Sequence, residues 1–506
     1  MMKNKLVLER AREDGLALTF DDVRLRTDYA VVMPDCVNLE SKFSRNVGLK
    51  IPIVSAAMDT VTEYKLAIEL AKLGGIGVIH RSLSIDDQAS QVARVKHHLN
   101  GLIEKPICVY QDDKVSSVLS RRESKDYTFH SFPVLESGDK LVGIVTGNDF
   151  EFCEDESLSI KDIMSTQLLT APEGTSIDDA FRLMCREKKK ILPLINNDGK
   201  LVAMYAFKDV KRIKTRSAET YNVDTRGQLR VAAAVGIGEE ALERVSRLSD
   251  KNVDVIVLDT AHADTKIVID TLKKIKKAHS IDVVVGNISV GASAERLIEA
   301  GADGIKIGQG PGSICTTRVV AGIGRPQISA IYDCAKSAEK YERSIPLCAD
   351  GGLRNSGDIP LAIAAGAHSV MMGSMLAGTE EAPGKIVFAE GLQWKDYRGM
   401  GSIGAMEKSE AARERYFQKQ TGKNQLVPEG IEGLVLYKGR LSDVLFQYVG
   451  GLRNGMGYAG VASIEELRER GDFDRMTSAG FSESHPHDIK ITKGSPNYRT
   501  ELDGTR

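Results

Sequence analysis

Short runs of β-branched and other apolar residues recur along the chain, each closing on glycine, a polar residue or both. They are Ile51–Val54, Ile76–Ile79, Arg230–Val235, Val255–Leu258, Val283–Val285, Ile305–Ile307, Pro346–Ala349 and Val370–Met372. Helix-period segments lie between them, among them Ala241–Leu248, Ala292–Ala300 and Asp358–Ala365. Strands that are apolar throughout are buried on both faces, and their alternation with amphipathic helices predicts a parallel sheet covered by helices. Eight such units predict an α/β fold, a (β/α)8 or TIM barrel; an open doubly wound sheet is the other arrangement.

A barrel gathers its functional groups just after the strands, at the C-terminal face. Ser55–Asp59 follows the first run, Asp259–His262 the fourth, Asn287 the fifth and Cys315 the sixth. Asp350–Gly352 follows the seventh and Gly373–Ser374 the eighth. Polar residues end strands in any protein, which explains each position singly but not the set.

Two stretches interrupt the repeat. Between the second and third strands, residues 101–220 show two similar halves. Phe132-Pro133-Val134 and then Gly143–Asp149 close the first, and Leu192-Pro193-Leu194 and then Leu201–Asp209 close the second. This duplication predicts a paired module inserted in a barrel loop. The chain then divides into 1–100 and 221–480 for the barrel, 101–220 for the module and 481–506 for a polar tail. The tail is expected either to dock on a neighbour or to lack fixed structure in part. The second stretch, 391–433, lacks strong apolar periodicity and carries the charged run Glu407–Lys423 among several glycines. It is expected to be a mobile flap or a passive surface insertion.

Composition narrows the class. A chain of 506 residues, 42% hydrophobic, can bury a large core and more than one domain. With a net charge of −2, no polyanion partner such as a nucleic acid is called for. No segment approaches the ~18 consecutive apolar residues of a membrane span, and Met1–Lys5 leads into charge rather than a signal region. The seven cysteines are odd in number and scattered, which predicts reduced thiols and a cytoplasmic setting.

The most distinctive chemistry lies in Gly308–Arg318, where Cys315 sits in a glycine-rich loop straight after a strand. Such a loop brings backbone amides close to a ligand, and the thiol is placed to attack. The alternative is a small buried hydrophobe, as most free cysteines are. Ser313 and Gly373-Ser374 suit a phosphate, and Asp350 suits ribose hydroxyls. Together they describe a nucleoside monophosphate across the barrel mouth; tight turns explain each glycine cluster taken alone. A Gly-x-Gly-x-x-Gly dinucleotide fingerprint is absent from the sequence.

The motifs Leu18–Val23, Ser55–Glu63, the Cys315 loop, Asp350–Asp358, Met371–Glu380 and Tyr397–Ser402 resemble the inosine 5′-monophosphate (IMP) dehydrogenase family over nearly the whole chain. The resemblance implies NAD-dependent oxidation of IMP to xanthosine 5′-monophosphate, with Cys315 as nucleophile. A covalent thioimidate forms and is hydrolysed after a flap closes. It implies that Arg415 and Tyr416 activate the water and that Thr317 positions it. Met58, Ser313, Asp350, Gly351, Gly352, Gly373, Ser374, Tyr397, Met400, Gly401 and Glu429 match substrate contacts. Asp259, Thr260, His262, Asn287, Gly308 and Gly310 match the cofactor side. A potassium ion is implied at carbonyls of Gly310, Gly312 and Cys315, with Glu483, Ser484 and His485 of a neighbouring chain. A homotetramer that can pair into octamers is implied as well.

The duplicated insert resembles a tandem CBS (Bateman) module, which binds adenine or guanine nucleotides. Thr146 and Asp149 match its ribose contacts. The second half carries Ala206 where threonine is common, ahead of Asp209. Gln309 departs from the apolar residue usual in the family. Two rivals stand beside this reading. One is guanosine 5′-monophosphate (GMP) reductase, which shares the barrel and cysteine loop but needs no Arg-Tyr flap. The other is a nucleotide-sensing protein with an inactive barrel.

Overall fold

All eight predicted strands form, and they close on one another. The computed structural model describes residues 5–99, 102–103, 106–124, 127, 129–214, 219–341, 345–420 and 425–498. The barrel strands are β1 (Ile53–Ser55), β2 (Ile76–Ile79), β3 (Val231–Val235), β4 (Val255–Asp259), β5 (Asp282–Ile288), β6 (Gly304–Ile307), β7 (Leu347–Asp350) and β8 (Ser369–Met372). Every neighbouring pair is parallel, and β8 pairs with β1 to complete the cylinder. The open doubly wound alternative is thereby excluded. Helices such as Gly238–Ser249, Gly291–Glu299 and Asp358–Ala364 follow their strands.

The barrel interior is filled rather than hollow. Val54, Ile76, Val78, Ala232, Ala234, Val255, Val257, Val284 and Met371 form one buried cluster with Phe43, Val47 and Leu49 of the preceding Ser41–Leu49 hairpin. Small Ala232 and Ala234 leave room for the larger neighbours, which is how a cylinder reaches interior density.

The chain separates into two compact units, 1–98 with 220–506 and 99–219. In the second, the predicted duplication is visible as geometry. Phe132–Leu135 pairs parallel to Val109–Tyr110 and antiparallel to Leu141–Val145. Ile191–Ile195 repeats this with Ala171–Pro172 and Leu201–Ala206. A helix follows each hairpin, Gly147–Glu151 and Phe207–Lys214. Each half has its own core, around Phe132 and Phe150 in one and Leu192 and Tyr205 in the other. Both predicted ends of the insert fall partly on residues outside those described, 100–101 and 215–218, as do 499–506 of the tail.

The stretch 391–433 is more ordered than its composition suggests. Leu392–Arg398 lies between Ile386–Ala389 and Glu432–Leu436 in an antiparallel sheet, and two short helices follow, Ile403–Lys408 and Glu410–Arg415. Its residues 421–424 lie outside those described. The strands escape periodicity because their burial does not alternate: Trp394 and Lys395 are adjacent and both buried. Lys395 is satisfied by backbone oxygens, donating to Thr379 O at 2.8 Å.

The loop closing the gap left by the insert is tied by charge. Lys96, 1% exposed, sits 2.8 Å from both Asp224 and Asp254, and Asp254 accepts from the Val231 amide that opens β3. Burial pushes the Asp254 carboxyl above its ordinary range while Lys96 opposes the shift. Lys96→Met leaves two buried carboxylates without their cation. It is expected to cost about 3 kcal/mol, read as a drop of several degrees in the thermal midpoint, with Asp254→Asn in the same background recovering part of the loss.

Candidate active site

The C-terminal ends of the strands converge on one buried cation. Lys306, in β6, is 2% exposed. Its ammonium lies 3.0 Å from Asp259 at the end of β4 and 2.7 Å from Asp350 at the end of β7, and it donates to Asn287 Oδ1 in β5. Asn287 Nδ2 donates back to Asp350 at 3.0 Å and to Gly308 O at 2.6 Å. A buried ammonium persists only when paired, so Lys306 dictates where both carboxylates point. Arg415 reaches Asp259 as a second cation.

Beside this cluster stands the thiol. Cys315 is half-buried, and its Sγ donates to Thr317 Oγ1 at 3.2 Å. Thr317 Oγ1 donates in turn to Glu429 Oε2 at 2.7 Å. The loop is held in place by backbone bonds to the C-terminal end of the 391–433 stretch: Thr316 N to Glu429 O and Ile431 N to Ile314 O, both 3.0 Å. Elsewhere burial governs three of the thiols. Burial pushes Cys108 to about 11 and Cys348 to about 12, and raises Cys334 further. Cys315 thus combines cavity access with a hydrogen-bonded route for its proton.

The helix Glu410–Arg415 carries two charges inward. Glu414 pairs with Arg81, just beyond β2, at 2.6 Å, with both side chains 8% exposed. Arg415 is not the solvated side chain that a charged run suggests. Burial pushes its guanidinium below the ordinary value, Tyr416 opposes this, and Arg81 reinforces it. The Tyr416 ring lies over Gly401, where a Cβ would meet it at 2.7 Å. Gly401 is therefore glycine because the ring takes the space a side chain would need.

A third group is made of hydroxyls. Tyr397 is buried, which pushes its phenol up, while Ser313 and Ser374 oppose the shift. A Cβ on Gly373 would come within 2.8 Å of the Tyr397 oxygen. Gly351 and Gly352, both with φ above +80°, follow Asp350 and press against Pro311 of the cysteine loop.

One cavity joins Met58, Asp259, Asn287, Gly308, Gly310, Gly312, Cys315, Thr317, Asp350, Gly351, Tyr397, Met400, Arg415, Tyr416 and Glu429. Thr260 does not line it, being 1% exposed with its hydroxyl turned to Gly286 O at 3.2 Å. His262 stands one step back, 3.1 Å from Gln309 Nε2. Glu483, Ser484 and His485 sit apart at the end of the helix Ser478–Glu483, and His485 meets Tyr498 at 3.1 Å. Sequence reasoning missed Lys306, Arg81 and Glu414. A lysine inside an otherwise apolar strand, two residues before the glycine loop, was the available signal for the first.

The chain matches the IMP dehydrogenase / GMP reductase domain over residues 17–487. It is 48% identical to an inosine-5′-monophosphate dehydrogenase of Aquifex aeolicus, over 97% of this chain and 99% of that protein. It is 46% identical to one of Helicobacter pylori, over 95% and 98%. Among solved structures, it resembles a cysteine-to-alanine variant of GMP reductase from Trypanosoma brucei in complex with guanosine 5′-monophosphate. That likeness has TM-score 0.84 and 38% identity, over 94% of this chain and 98% of the other. Such coverage cannot be reached without the inserted unit, so the insert does not separate the two activities.

Glu414→Gln keeps the shape of the side chain and removes the charge that holds Arg81. Amide hydrogen exchange across 410–416 is expected to accelerate at least tenfold, with β8 unchanged. Unaltered exchange would mean that the pair does not anchor this helix.

Proposed function

The chain belongs to the IMP dehydrogenase / GMP reductase family, and we propose that it oxidises IMP to xanthosine 5′-monophosphate with NAD as hydride acceptor. The observation that carries this reading is the meeting of Arg415 and Tyr416 with Cys315 and Thr317 around one cavity. A hydrolytic step needs a water-activating pair on a movable element; a reductive deamination does not.

Cys315 Sγ adds to C2 of the hypoxanthine, and its proton leaves along Thr317 to Glu429. The hydride on C2 passes to the nicotinamide, and a thioimidate remains on the sulfur. Water then attacks C2, the C–S bond breaks, and the thiol is restored. Arg415 takes the proton from that water; burial and the nearby Arg81 lower its guanidinium from the ordinary value, while the ion pair with Asp259 holds the charged form until the base is needed. Tyr397, Ser313, Ser374 and the Gly373 and Gly352 backbones hold the phosphate. Asp350 takes the ribose, and Met58, Met400 and Gly401 flank the purine.

Asp259 serves both halves of the cycle. In the present arrangement it is occupied by Arg415. With the flap withdrawn, two carboxylates face the single charge of Lys306, which leaves one net negative charge at the cavity floor. That suits the cationic ring of oxidised nicotinamide, with Asp259, Asn287, Gly308 and Gly310 around it and His262 towards the adenosine. Competition for Asp259 keeps hydrolysis from starting before NADH departs.

The carbonyls of Gly310, Gly312 and Cys315 are neutral oxygen donors, a set that fits a monovalent cation such as potassium. The unit 99–219 acts as a tandem CBS module for adenine or guanine nucleotides. Its cleft is lined by Thr146 with Arg122, His130, Lys188, Lys189 and Lys190, which suits polyphosphate. The protein assembles as a homotetramer, as its resemblance to the family implies. No helix among the described residues is long and apolar enough to cross a membrane.

Mixed with IMP and NAD, the protein is expected to produce NADH and xanthosine 5′-monophosphate. Consumption of NADPH on guanosine 5′-monophosphate, without NADH formation from IMP, would establish the reductase reading instead. Arg415→Ala is expected to release one equivalent of NADH rapidly and then slow by about 10²–10⁴-fold. A defect confined to the burst itself would remove Arg415 from the hydrolytic step.

A further inference from the structure

Gln309 lies between Gly308 and Gly310, in the loop that follows β6, and is 9% exposed. Glycine on both sides, with φ of +151° and +79°, turns this one side chain inward. Its amide is fully used. Nε2 donates to Ala261 O at 3.1 Å and stands 3.1 Å from His262 Nδ1. Oε1 accepts from Ser289 Oγ at 2.6 Å. One side chain thus joins the loops that follow β4, β5 and β6.

The orientation of the amide is fixed by chemistry. A backbone carbonyl can only accept, so the NH2 end faces Ala261. The second hydrogen of that nitrogen then points at His262 Nδ1, which must accept it. His262 therefore carries its proton on Nε2, free to donate away from the loop. An apolar residue here would fill similar space but leave the Ala261 carbonyl and the Ser289 hydroxyl without this partner.

We propose that Gln309 is a positioning residue for the dinucleotide: it clamps segment 259–262 to the cysteine loop and fixes the His262 tautomer that faces the cofactor. This rests on the reading of 259–262 as the cofactor side given above. The segment also meets the flap, since Ala261 N donates to Arg415 O at 3.1 Å. The Gln309 bond to Ala261 O uses a different atom of that residue from the flap contact.

Two variants of the full-length protein test this, Gln309→Met, which keeps volume and removes the donors, and Gln309→Glu, which keeps the Ser289 contact but sets a carboxylate against the Ala261 carbonyl. Each is expected to raise KM for NAD about tenfold, with KM for IMP within twofold. Amide exchange at 260–263 in the ligand-free protein is expected to quicken in both. A KM for NAD that stays within twofold, KM values that rise together, or unchanged exchange at 260–263 would overturn the proposal. If the parent protein makes no NADH at all, the functional reading falls, and exchange alone then decides whether the clamp exists.

Discussion

The site depends on one buried ammonium. Lys306 stands where three strands end and satisfies its charge with Asp259 and Asp350 while Asn287 braces it. Without that cation the two carboxylates would repel each other across the barrel mouth and turn outward. With it, one is held towards Arg415 and the other beside the Gly351-Gly352 turn. The barrel supplies the rigidity that makes this meaningful: the supporting strands are hydrogen-bonded to both neighbours and buried on both faces.

Around that centre, charge is rationed rather than abundant. Arg415 completes the balance when its helix is docked, and Arg81 and Glu414 hold the docking point. The same contacts bring a second arginine near Arg415, and together with burial it lowers the Arg415 guanidinium from its ordinary value. The thiol has a separate path, through a threonine hydroxyl to Glu429.

The barrel was legible because its strands are apolar throughout, a pattern that only burial on both faces explains. The inserted unit was legible because its two halves repeat the same hairpin and helix. The thiol loop and the strand-end carboxylates were readable from their position alone. Lys306 was not, since a single lysine in a strand reads as solvated unless the two acids that pair with it are known to lie on other strands. Arg81 and Glu414 are 333 positions apart, and nothing local in either neighbourhood signals the other. The sheet around Leu392–Arg398 was hidden because two adjacent residues are buried by different means, Trp394 by packing and Lys395 by carbonyl oxygens.

The central claim is that a sulfur at the barrel rim forms a transient bond to a purine carbon. Rapid acid quenching of the protein during turnover with IMP and NAD, followed by peptide mass spectrometry, tests it most directly. The account predicts the mass of a purine nucleotide on the peptide containing Cys315, increased in Arg415→Ala and lost in Cys315→Ala. A quenched sample that turns over normally yet carries no added mass on that peptide would contradict it.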